Sequence, residues 1–210
     1  MAEIKIGRMV LGTCQTNCYF LYREGSKKVI FVDPADYGEK IYEALKQNGF
    51  EVEAIILTHG HFDHIWGVEE LRDLTKAPVY ANEEEKDLLS NAGMNISKQA
   101  GRPCTLEADH YLRDGDELTL ADMTFKMIAT PGHTKGGCCY YFEEAGLLIS
   151  GDTLFMESVG RTDFPTGSMS TLVRSIKEKL FVLPDETKCY PGHGDSTSIL
   201  HEKKYNPFMG

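Results

Sequence analysis

A dense group of histidines with one aspartate stands in residues 58–64, which read THGHFDH. Imidazole nitrogens and carboxylate oxygens are the ligands that zinc and iron take in proteins. If this run leaves a strand as a turn, His59 and His61 can bind one ion. Asp63 and His64, at the start of the following helix, can then face a second ion. Asp63 could instead only cap that helix, as aspartates often do.

Three further candidate ligands follow apolar runs in the same way, on turns that contain glycine: His133, Asp152 and His193. Ligands gather at strand ends in α/β folds, so these side chains can meet the first group. Seven candidates exceed the three or four ligands that one zinc ion takes from a protein. The count therefore favours two metals with Asp152 as the bridging carboxylate, although a site that binds metal without catalysis stays open. Two metals roughly 4 Å apart can hold a hydroxide and polarise a carbonyl oxygen.

Apolar periodicity predicts the elements that must position these residues. The predicted strands are 3–11, 17–24, 28–33, 54–57, 79–81, 117–121, 124–129, 137–143, 146–150 and 188–190. The predicted helices are one around 41–45, one over 65–74, an acidic and exposed one over 82–91, and two more over 168–181 and 198–205. Residues 92–116 are expected to be a loop, and no feature of the sequence shows whether it covers the site. Strands in two batches, each mixed with helices, predict an α/β protein with two helix-covered sheets.

Composition excludes several classes of protein. With 41% hydrophobic and 26% charged residues in 210, the chain is neither disordered, nor collagen-like, nor a small disulfide scaffold. The formal charge of −10 argues against a nucleic-acid partner. Neither a signal peptide nor an apolar stretch of membrane-spanning length is visible, so we expect a cytoplasmic protein with no membrane partner. The six cysteines are expected to be reduced and mostly buried, and the oligomeric state stays open.

The motifs together resemble the metallo-β-lactamase fold, and most specifically the short glyoxalase II-like (hydroxyacylglutathione hydrolase-like) hydrolases. The matching stretches are THGHFDH at 58–64, TPGHTKG at 130–136, GDTLFMESVGRTDFPTG at 151–167, PGHG at 191–194, and the shorter runs NCY at 17–19, VDP at 32–34 and NPF at 206–208. The resemblance implies a four-layer αββα sandwich. It implies a single domain over residues 1–210, without the C-terminal helical domain of full-length glyoxalase II.

The resemblance also assigns ligands to each metal. One ion would be held by His59, His61 and His133, the other by Asp63, His64 and His193, and Asp152 would bridge them. Two divalent ions are expected, zinc in the first instance, with iron or manganese as alternatives. In glyoxalase II a basic residue on this loop helps to bind glutathione, and Arg161 stands at that position here. Arg161 could instead only pair with Asp163. The tyrosine that the family uses on this loop is replaced by the run TDFP.

The implied reaction is hydrolysis of a thioester such as S-lactoylglutathione, by attack of a metal-bridging hydroxide that Asp63 also orients. A thiolate leaves with little help because its parent pKa is about 8.5. The main alternative is a persulfide dioxygenase, which shares the fold and a related GRTDF loop. Such an enzyme uses one iron at positions matching His59, His133 and Asp152. Hydrolysis of a β-lactam or a lactone, and a non-catalytic metal-binding module, are further alternatives.

Overall fold

The computed structural model describes residues 2–210, and its first half forms a six-stranded sheet. The strands lie side by side in chain order: β1 (Ile4–Leu11), β2 (Thr16–Arg23), β3 (Lys28–Val32), β4 (Glu51–Ile56), β5 (Val79–Asn82) and β6 (His110–Leu112). The pairs among β1, β2 and β3 are antiparallel, and those among β3, β4, β5 and β6 are parallel. The carboxyl ends of β3, β4 and β5 therefore meet at one edge of the sheet.

The second half of the chain adds eight strands: β7 (Glu117–Leu120), β8 (Met123–Ala129), β9 (Cys138–Phe142), β10 (Leu147–Gly151), β11 (Leu154–Phe155), β12 (Ser158–Val159), β13 (Lys188–Pro191) and β14 (Thr197–Ser198). Six of them form a second sheet in the order β14-β13-β10-β9-β8-β7, and β11 and β12 form a separate hairpin. Within the second sheet only β10 and β13 run parallel. Asp152 and His193 consequently follow neighbouring parallel strands.

Short helices connect the strands: α1 (Gly38–Gln47), α2 (Phe62–Ile65), α3 (Val68–Thr75), α4 (Lys86–Leu89), α5 (Met169–Ser175) and α6 (Ile199–Tyr205). A π-helical turn over Ile176–Leu180 continues α5. Single 3-10 turns cover Glu83–Glu85, Glu143–Ala145 and Pro207–Met209. None of the helices in residues 2–210 combines the length and the apolarity that a membrane crossing requires.

The apolar side chains form three core layers, one between the two sheets and one on the outer face of each sheet. Between the two sheets, Ile30 and Ile56 of the first pack with Phe125 and Tyr140 of the second. On the outer face of the first sheet, α1 and α3 bury apolar side chains, and α5 and α6 do so on the second sheet. The result is the predicted αββα sandwich. The end of strand β4 is continuously apolar because both faces of the strand are buried there. Ile55 faces the helices and Ile56 faces the other sheet.

Most predicted elements are confirmed, with differences in the first half. The helix predicted over 65–74 is interrupted at Gly67, whose N–H donates to the carbonyl of Pro34 at 2.8 Å. The prediction that residues 82–91 form one exposed helix is wrong, because a 3-10 turn precedes α4 and three side chains are buried: Glu85, Leu88 and Leu89. Hydrogen bonding to partners distant in the chain outweighs the local helical pattern here.

The segment 92–116, predicted as a loop, contains β6 and a folded turn beside α2. Strand β6 pairs in parallel with β5 and completes the edge of the first sheet. Before it, the carbonyl of Asn95 accepts a hydrogen bond from the N–H of Phe62 at 3.0 Å, and that of Arg102 accepts one from Trp66 Nε1 at 2.9 Å. The segment thus supports the helix that carries Asp63 and His64.

Candidate metal centre

Three histidine rings converge below the carboxyl ends of β4 and β8, and we call His59, His61 and His133 the first set. His133 Nε2 lies 2.9 Å from His61 Nδ1 and 3.2 Å from His59 Nε2. All three residues are at most 3% exposed, so their facing nitrogens are shielded from solvent. The ligand atoms lie within 4.8 Å of one another, which is the spacing of groups that share one ion.

Asp63, His64 and His193 form a second set beside the first. Their ligand atoms also lie within 4.8 Å of one another, and His193 Nε2 is 3.3 Å from Asp63 Oδ2. The side chains of Asp63 and His193 are 16% and 28% exposed, whereas that of His64 is fully buried. The second set therefore lies on the open side of the centre, where a substrate can enter.

The carboxylate of Asp152 lies between the two sets. Its Oδ1 is 3.4 Å from His64 Nε2, and its Oδ2 is 3.6 Å both from His133 Nε2 and from His193 Nε2. Asp152 leaves β10 directly after Gly151, and His193 leaves the neighbouring parallel strand β13. The structure thus brings all seven candidate ligands together, with Asp152 where a bridging ligand would be required.

Four of the histidine rings are held by hydrogen bonds at Nδ1, so that Nε2 of each ring faces the centre. His133 Nδ1 donates to the carbonyl of Arg161 at 2.7 Å, and His193 Nδ1 donates to that of Cys14 at 3.2 Å. A carbonyl oxygen can only accept, so Nδ1 carries a proton in both rings. His59 and His64 are held in the same way by Thr58 and Asp33. Such outer contacts fix the tautomer that a metal requires.

Asp33, which follows β3, organises the first ligand loop (residues 57–64). It accepts hydrogen bonds from the N–H of Thr58 at 2.8 Å, from its hydroxyl at 2.6 Å and from His64 Nδ1 at 2.8 Å. Because the Thr58 hydroxyl donates to Asp33, it accepts from His59 Nδ1, 3.1 Å away. One buried carboxylate therefore orients ligands of both sets.

The protonation of the centre suits cation binding. Burial lowers the pKa of His59 well below its ordinary value and lowers that of His61 to about 3, so both rings stay neutral. Burial acts to raise the pKa of Asp152, but the charge of His64 outweighs it, and this pKa lies well below the ordinary value. The pKa of Asp63 is lowered, again against burial, by His64 and His193. Charged carboxylates and neutral imidazoles are the forms that bind metal. The facing carboxylates raise the pKa values of His64 and His193, so these two rings release a proton when a cation binds.

Unsatisfied polar atoms test whether a metal fits. Within residues 2–210, His64 Nε2 and Asp152 Oδ1 are buried and have no hydrogen-bond partner. Buried polar atoms are normally paired, so these two atoms require a further partner. Both point into the space between the two sets, where nitrogen and carboxylate oxygen donors surround them. The donor set therefore fits divalent cations. The N-cap of α2 is His61, whereas Asp63 lies inside the first turn, so the alternative that Asp63 only caps this helix is wrong.

The loop carrying His193 approaches the other ligands so closely that only glycine fits at position 192. A Cβ there would lie 2.3 Å from Asp152 Oδ1 and 2.7 Å from His64 Cε1. Asn17 holds the same loop from the first sheet, donating through Nδ2 to the carbonyls of Pro191 and Gly194, both at 2.9 Å. The short runs NCY and PGHG of the sequence are thus in direct contact.

Arg161 contributes its backbone to the centre and points its side chain outward. Its guanidinium donates to both carboxylate oxygens of Asp163, at 2.8 and 2.7 Å, and lies 3.9 Å from the centre of the Phe164 ring. The pairing with Asp163 is the alternative that the sequence left open, and substrate binding by Arg161 stays a prediction. Phe164 in turn lies edge-on to His61, with ring centres 5.5 Å apart.

Sequence reasoning missed the residues that position the ligands. Asp33 lies in the run VDP at 32–34, but no role was assigned to it from the sequence. An acidic residue directly after a buried strand could have indicated a role at the site. Glu85, described below, was assigned to an exposed helix. Phe155, whose ring centre is 6.2 Å from that of His193, stands on a hairpin of two-residue strands that periodicity could not detect. Four cysteines are buried as expected, but Cys14 is exposed and Cys104 is half-buried.

Comparison with known proteins agrees with this geometry. A protein of Bacillus subtilis (strain 168) described as "Probable metallo-hydrolase YqgX" is 40% identical over 208 residues, which span 98% of both chains. The hydroxyacylglutathione hydrolase GloC of Haemophilus influenzae (strain ATCC 51907 / DSM 11121 / KW20 / Rd) is 32% identical over 202 residues, 93% of both chains.

Solved structures share the whole architecture. The B3 metallo-beta-lactamase BLEG-1 has a TM-score of 0.93 and 39% identity, covering 98% of this chain and 99% of its own. TTHA1623 in a di-iron-bound form has a TM-score of 0.86 and 33% identity, covering 96% and 99%. ETHE1 from Myxococcus xanthus has a TM-score of 0.80 and 29% identity, covering 97% and 83%. A family model described as the metallo-beta-lactamase superfamily matches residues 11–193. With the sandwich and the seven converging candidate ligands, this match establishes that the chain belongs to the metallo-beta-lactamase superfamily.

Proposed function

We propose that the protein is a metal-dependent hydrolase that cleaves thioesters, with a small acylthiol such as S-lactoylglutathione as its substrate. The observation that carries the proposal is the position of Asp152, 3.4 Å from His64 Nε2 and 3.6 Å from His133 Nε2. A carboxylate between two complete ligand sets supports two ions, which we expect to be zinc, with iron or manganese as alternatives. When bound, such ions polarise a carbonyl oxygen and make water a nucleophile at neutral pH.

The residues on the open side supply the remaining functions. Asp63 is ionised, and its Oδ2 lies 3.3 Å from His193 Nε2 at the edge that solvent reaches. This oxygen can accept a hydrogen bond from the attacking water and so orient it toward the substrate carbonyl. The first set is shielded, so the substrate must approach over Asp63 and His193.

The leaving group favours a thioester. All seven titratable side chains of the two sets and of Asp152 are committed as metal ligands in this proposal. A thiolate, with a parent pKa of about 8.5, departs without a proton donor, whereas an amine does not. The relationship to GloC, a hydroxyacylglutathione hydrolase, supports the same substrate class.

The surroundings of the centre offer contacts for both parts of an acylthiol. The Phe164 ring beside His61 and the Phe155 ring beside His193 present apolar surface to an acyl group. Arg161, more than half exposed, offers two donors that match a carboxylate. A carboxylate of the thiol moiety would replace Asp163 as the partner of this guanidinium.

Persulfide oxygenation is a second candidate function. His59, His133 and Asp152 are neighbours, with 3.2 Å between the two histidine Nε2 atoms and 3.6 Å from His133 Nε2 to Asp152. Two histidines and one carboxylate are the ligand set of mononuclear iron oxygenases. Likeness to ETHE1 favours this candidate, but that set does not use Asp63, His64 and His193. Likeness to BLEG-1 adds β-lactam hydrolysis as a third reaction to assay.

One set of measurements separates these functions. Purified protein is analysed for metal content and assayed with S-lactoylglutathione, with a cephalosporin and, by oxygen uptake, with glutathione persulfide. Two metals per chain and thioester cleavage that a chelator abolishes would support the proposal. One iron per chain with oxygen uptake, or faster cleavage of the cephalosporin than of the thioester, would overturn it. Asp63→Asn serves as the control, since it removes a proposed ligand of the second set and the orienting carboxylate together and should abolish thioester cleavage.

A further inference from the structure

A glutamate that belongs to neither ligand set is buried directly behind the first set. Glu85 ends the 3-10 turn Glu83–Glu85 that follows β5, and it is 1% exposed. The two preceding glutamates are exposed and pair with surface cations, Glu83 with Arg113 and Glu84 with Lys135. Among three consecutive residues of the same type, only the third is turned into the protein.

The Glu85 carboxylate contacts the second ligand loop (residues 130–137), which carries His133 of the first set. Its Oε1 accepts hydrogen bonds from the hydroxyl of Thr134 and from the N–H of Gly136, the latter at 3.0 Å. Thr134 directly follows His133. One buried side chain therefore binds this loop at two points next to a candidate ligand.

The second ligand loop is fitted closely around this glutamate. A Cβ on Gly136 would lie 2.4 Å from the backbone nitrogen of Glu85 and 2.8 Å from its Cγ, so only glycine permits the approach. Asn82, at the end of β5, donates through Nδ2 to the carbonyl of Gly136 at 2.9 Å. Strand β5 and the following turn thus hold the second ligand loop, which carries His133, on the side away from its ligand atoms.

A carboxyl group is an expensive choice for this position. Burial raises the pKa of Glu85 to about 7, against the hydrogen bonds from Thr134 and Gly136. Within residues 2–210, Oε2 makes no hydrogen bond. A buried carboxylate without a paired cation destabilises a fold. An amide of the same shape would retain both hydrogen bonds at Oε1. Only the carboxylate makes these bonds charge-assisted and places a negative charge behind the first set.

We infer that Glu85 is a positioning residue for the first metal set, which holds the second ligand loop, and with it His133, against the turn that follows β5. The inference rests on the proposed metal-dependent function, since it concerns how the chain binds one of its two ions. Glu85 is not one of the proposed ligands. It acts through Thr134 and through the backbone at Gly136.

The test is zinc affinity, measured by competition with a chromogenic chelator, in two backgrounds. His193→Ala disrupts the second set and keeps the first, whereas His61→Ala does the reverse. We expect Glu85→Gln to weaken zinc binding about tenfold in the His193→Ala background and less than twofold in the His61→Ala background. The neutral amide is a weaker acceptor than the carboxylate, so Thr134 and Gly136 are held less firmly and His133 is less well positioned. The thermal unfolding temperature of metal-free Glu85→Gln should equal or exceed that of the wild type.

Two matched controls separate positioning from general damage. Glu84→Gln changes the adjacent exposed glutamate, and Glu202→Gln changes a fully buried one that accepts hydrogen bonds from Thr197, Glu157 and Asn206. Both should bind zinc as the wild type does. Equal weakening in the two backgrounds, equal weakening by Glu202→Gln, or unchanged affinity would overturn the inference.

Thr134→Val provides a second route if Glu85→Gln does not fold. It removes the hydroxyl that donates to Glu85 and keeps the shape of the side chain, so weaker zinc binding only in the His193→Ala background is again expected. The zinc measurement is independent of the reaction. A wild-type protein that binds two zinc ions and hydrolyses no thioester would refute the proposed function and leave this test intact.

Discussion

Asp33 Oδ2 and His64 Nδ1 are joined by a hydrogen bond of 2.8 Å between two fully enclosed side chains. The contact connects the end of β3 to helix α2 and directs His64 Nε2 toward Asp152. The carboxylates of Asp152, Asp33 and Asp63 raise the pKa of His64 well above its ordinary value, against its burial. The negative potential that produces this shift is the same potential that attracts a cation to the second set.

Asp33→Asn should therefore weaken metal binding at the second set. The amide keeps the size of the side chain, but it cannot accept from both Thr58 and His64, and it removes one negative charge. Loss of such an outer contact typically costs 10–100-fold in metal affinity. Zinc titration of the variant checks the effect. Asp36→Asn is the matched control, because Asp36 is also largely buried but pairs with Arg102 away from the ligands. Similar losses in both variants would contradict the assigned role.

Gly192→Ala should disrupt the centre as a whole. The new Cβ would displace Asp152 Oδ1, 2.3 Å away, and the His64 ring, 2.7 Å away. Displacement of about 1 Å at a catalytic centre lowers rates roughly 100-fold, so we expect at least that loss in kcat/KM for the thioester. Gly194→Ala is the control, since a Cβ there meets no atom within 4 Å, although the φ of Gly194 is positive. That variant should lose about 1 kcal/mol of stability and keep its metals. Wild-type rates in Gly192→Ala would show that this loop moves freely.

Glu85 should make the stability of the metal-free protein depend on pH. Its pKa is raised from an ordinary 4.5 to about 7 in the folded state. Between these values the folded protein binds more protons than the unfolded one, so stability falls as pH rises through this window. The slope is at most about 1.4 kcal/mol per pH unit for one group. Urea unfolding of the wild type and of Glu85→Gln at pH 4.5, 6 and 7.5 measures the difference, which should grow in favour of Glu85→Gln. A constant difference would contradict the raised pKa.

Arg161→Ala should discriminate between charged and neutral thiol moieties. The substitution keeps the Arg161 carbonyl that holds His133, so metal content should not change. We expect KM for S-lactoylglutathione to rise about tenfold with little change in kcat, because a charge-assisted contact to a carboxylate is lost. A thioester of N-acetylcysteamine, which lacks carboxylates, should show no change in KM. Asp163→Asn, which frees the guanidinium, should lower KM for the charged substrate. Equal effects on both substrates would assign Arg161 to loop structure alone.

The ligands were predictable from the sequence because each follows a short apolar run that forms a buried strand. Strand β4 is apolar on both faces, and its end locates His59 and His61 without knowledge of the rest of the fold. The same reasoning applies to His193 after β13. Histidine and carboxylate side chains that come together at strand ends have few interpretations other than a metal site. The pairing of ligands with each ion came from the resemblance, and the observed distances agree with it.

The supporting residues were not predictable because their roles depend on partners far along the chain. Glu85 has the same type as its exposed neighbour Glu84, and only the approach of Gly136, about 50 residues later, decides which one is buried. Strand β6 has three residues and gains its identity by pairing with β5. Local pattern cannot reveal either contact, since both are properties of the assembled sheets.

The ligands are spread along the chain in an order that affects how the protein can acquire metal during synthesis. The first set is complete in the sequence at His133, but the second set lacks a member until His193, which follows α5 and β13. Asn17 then holds the loop that carries this last candidate ligand. A nascent chain that has been made only as far as β13 thus contains one whole set and part of another. Occupation of both sets consequently waits until residue 193 has been made, and it brings together residues 174 positions apart.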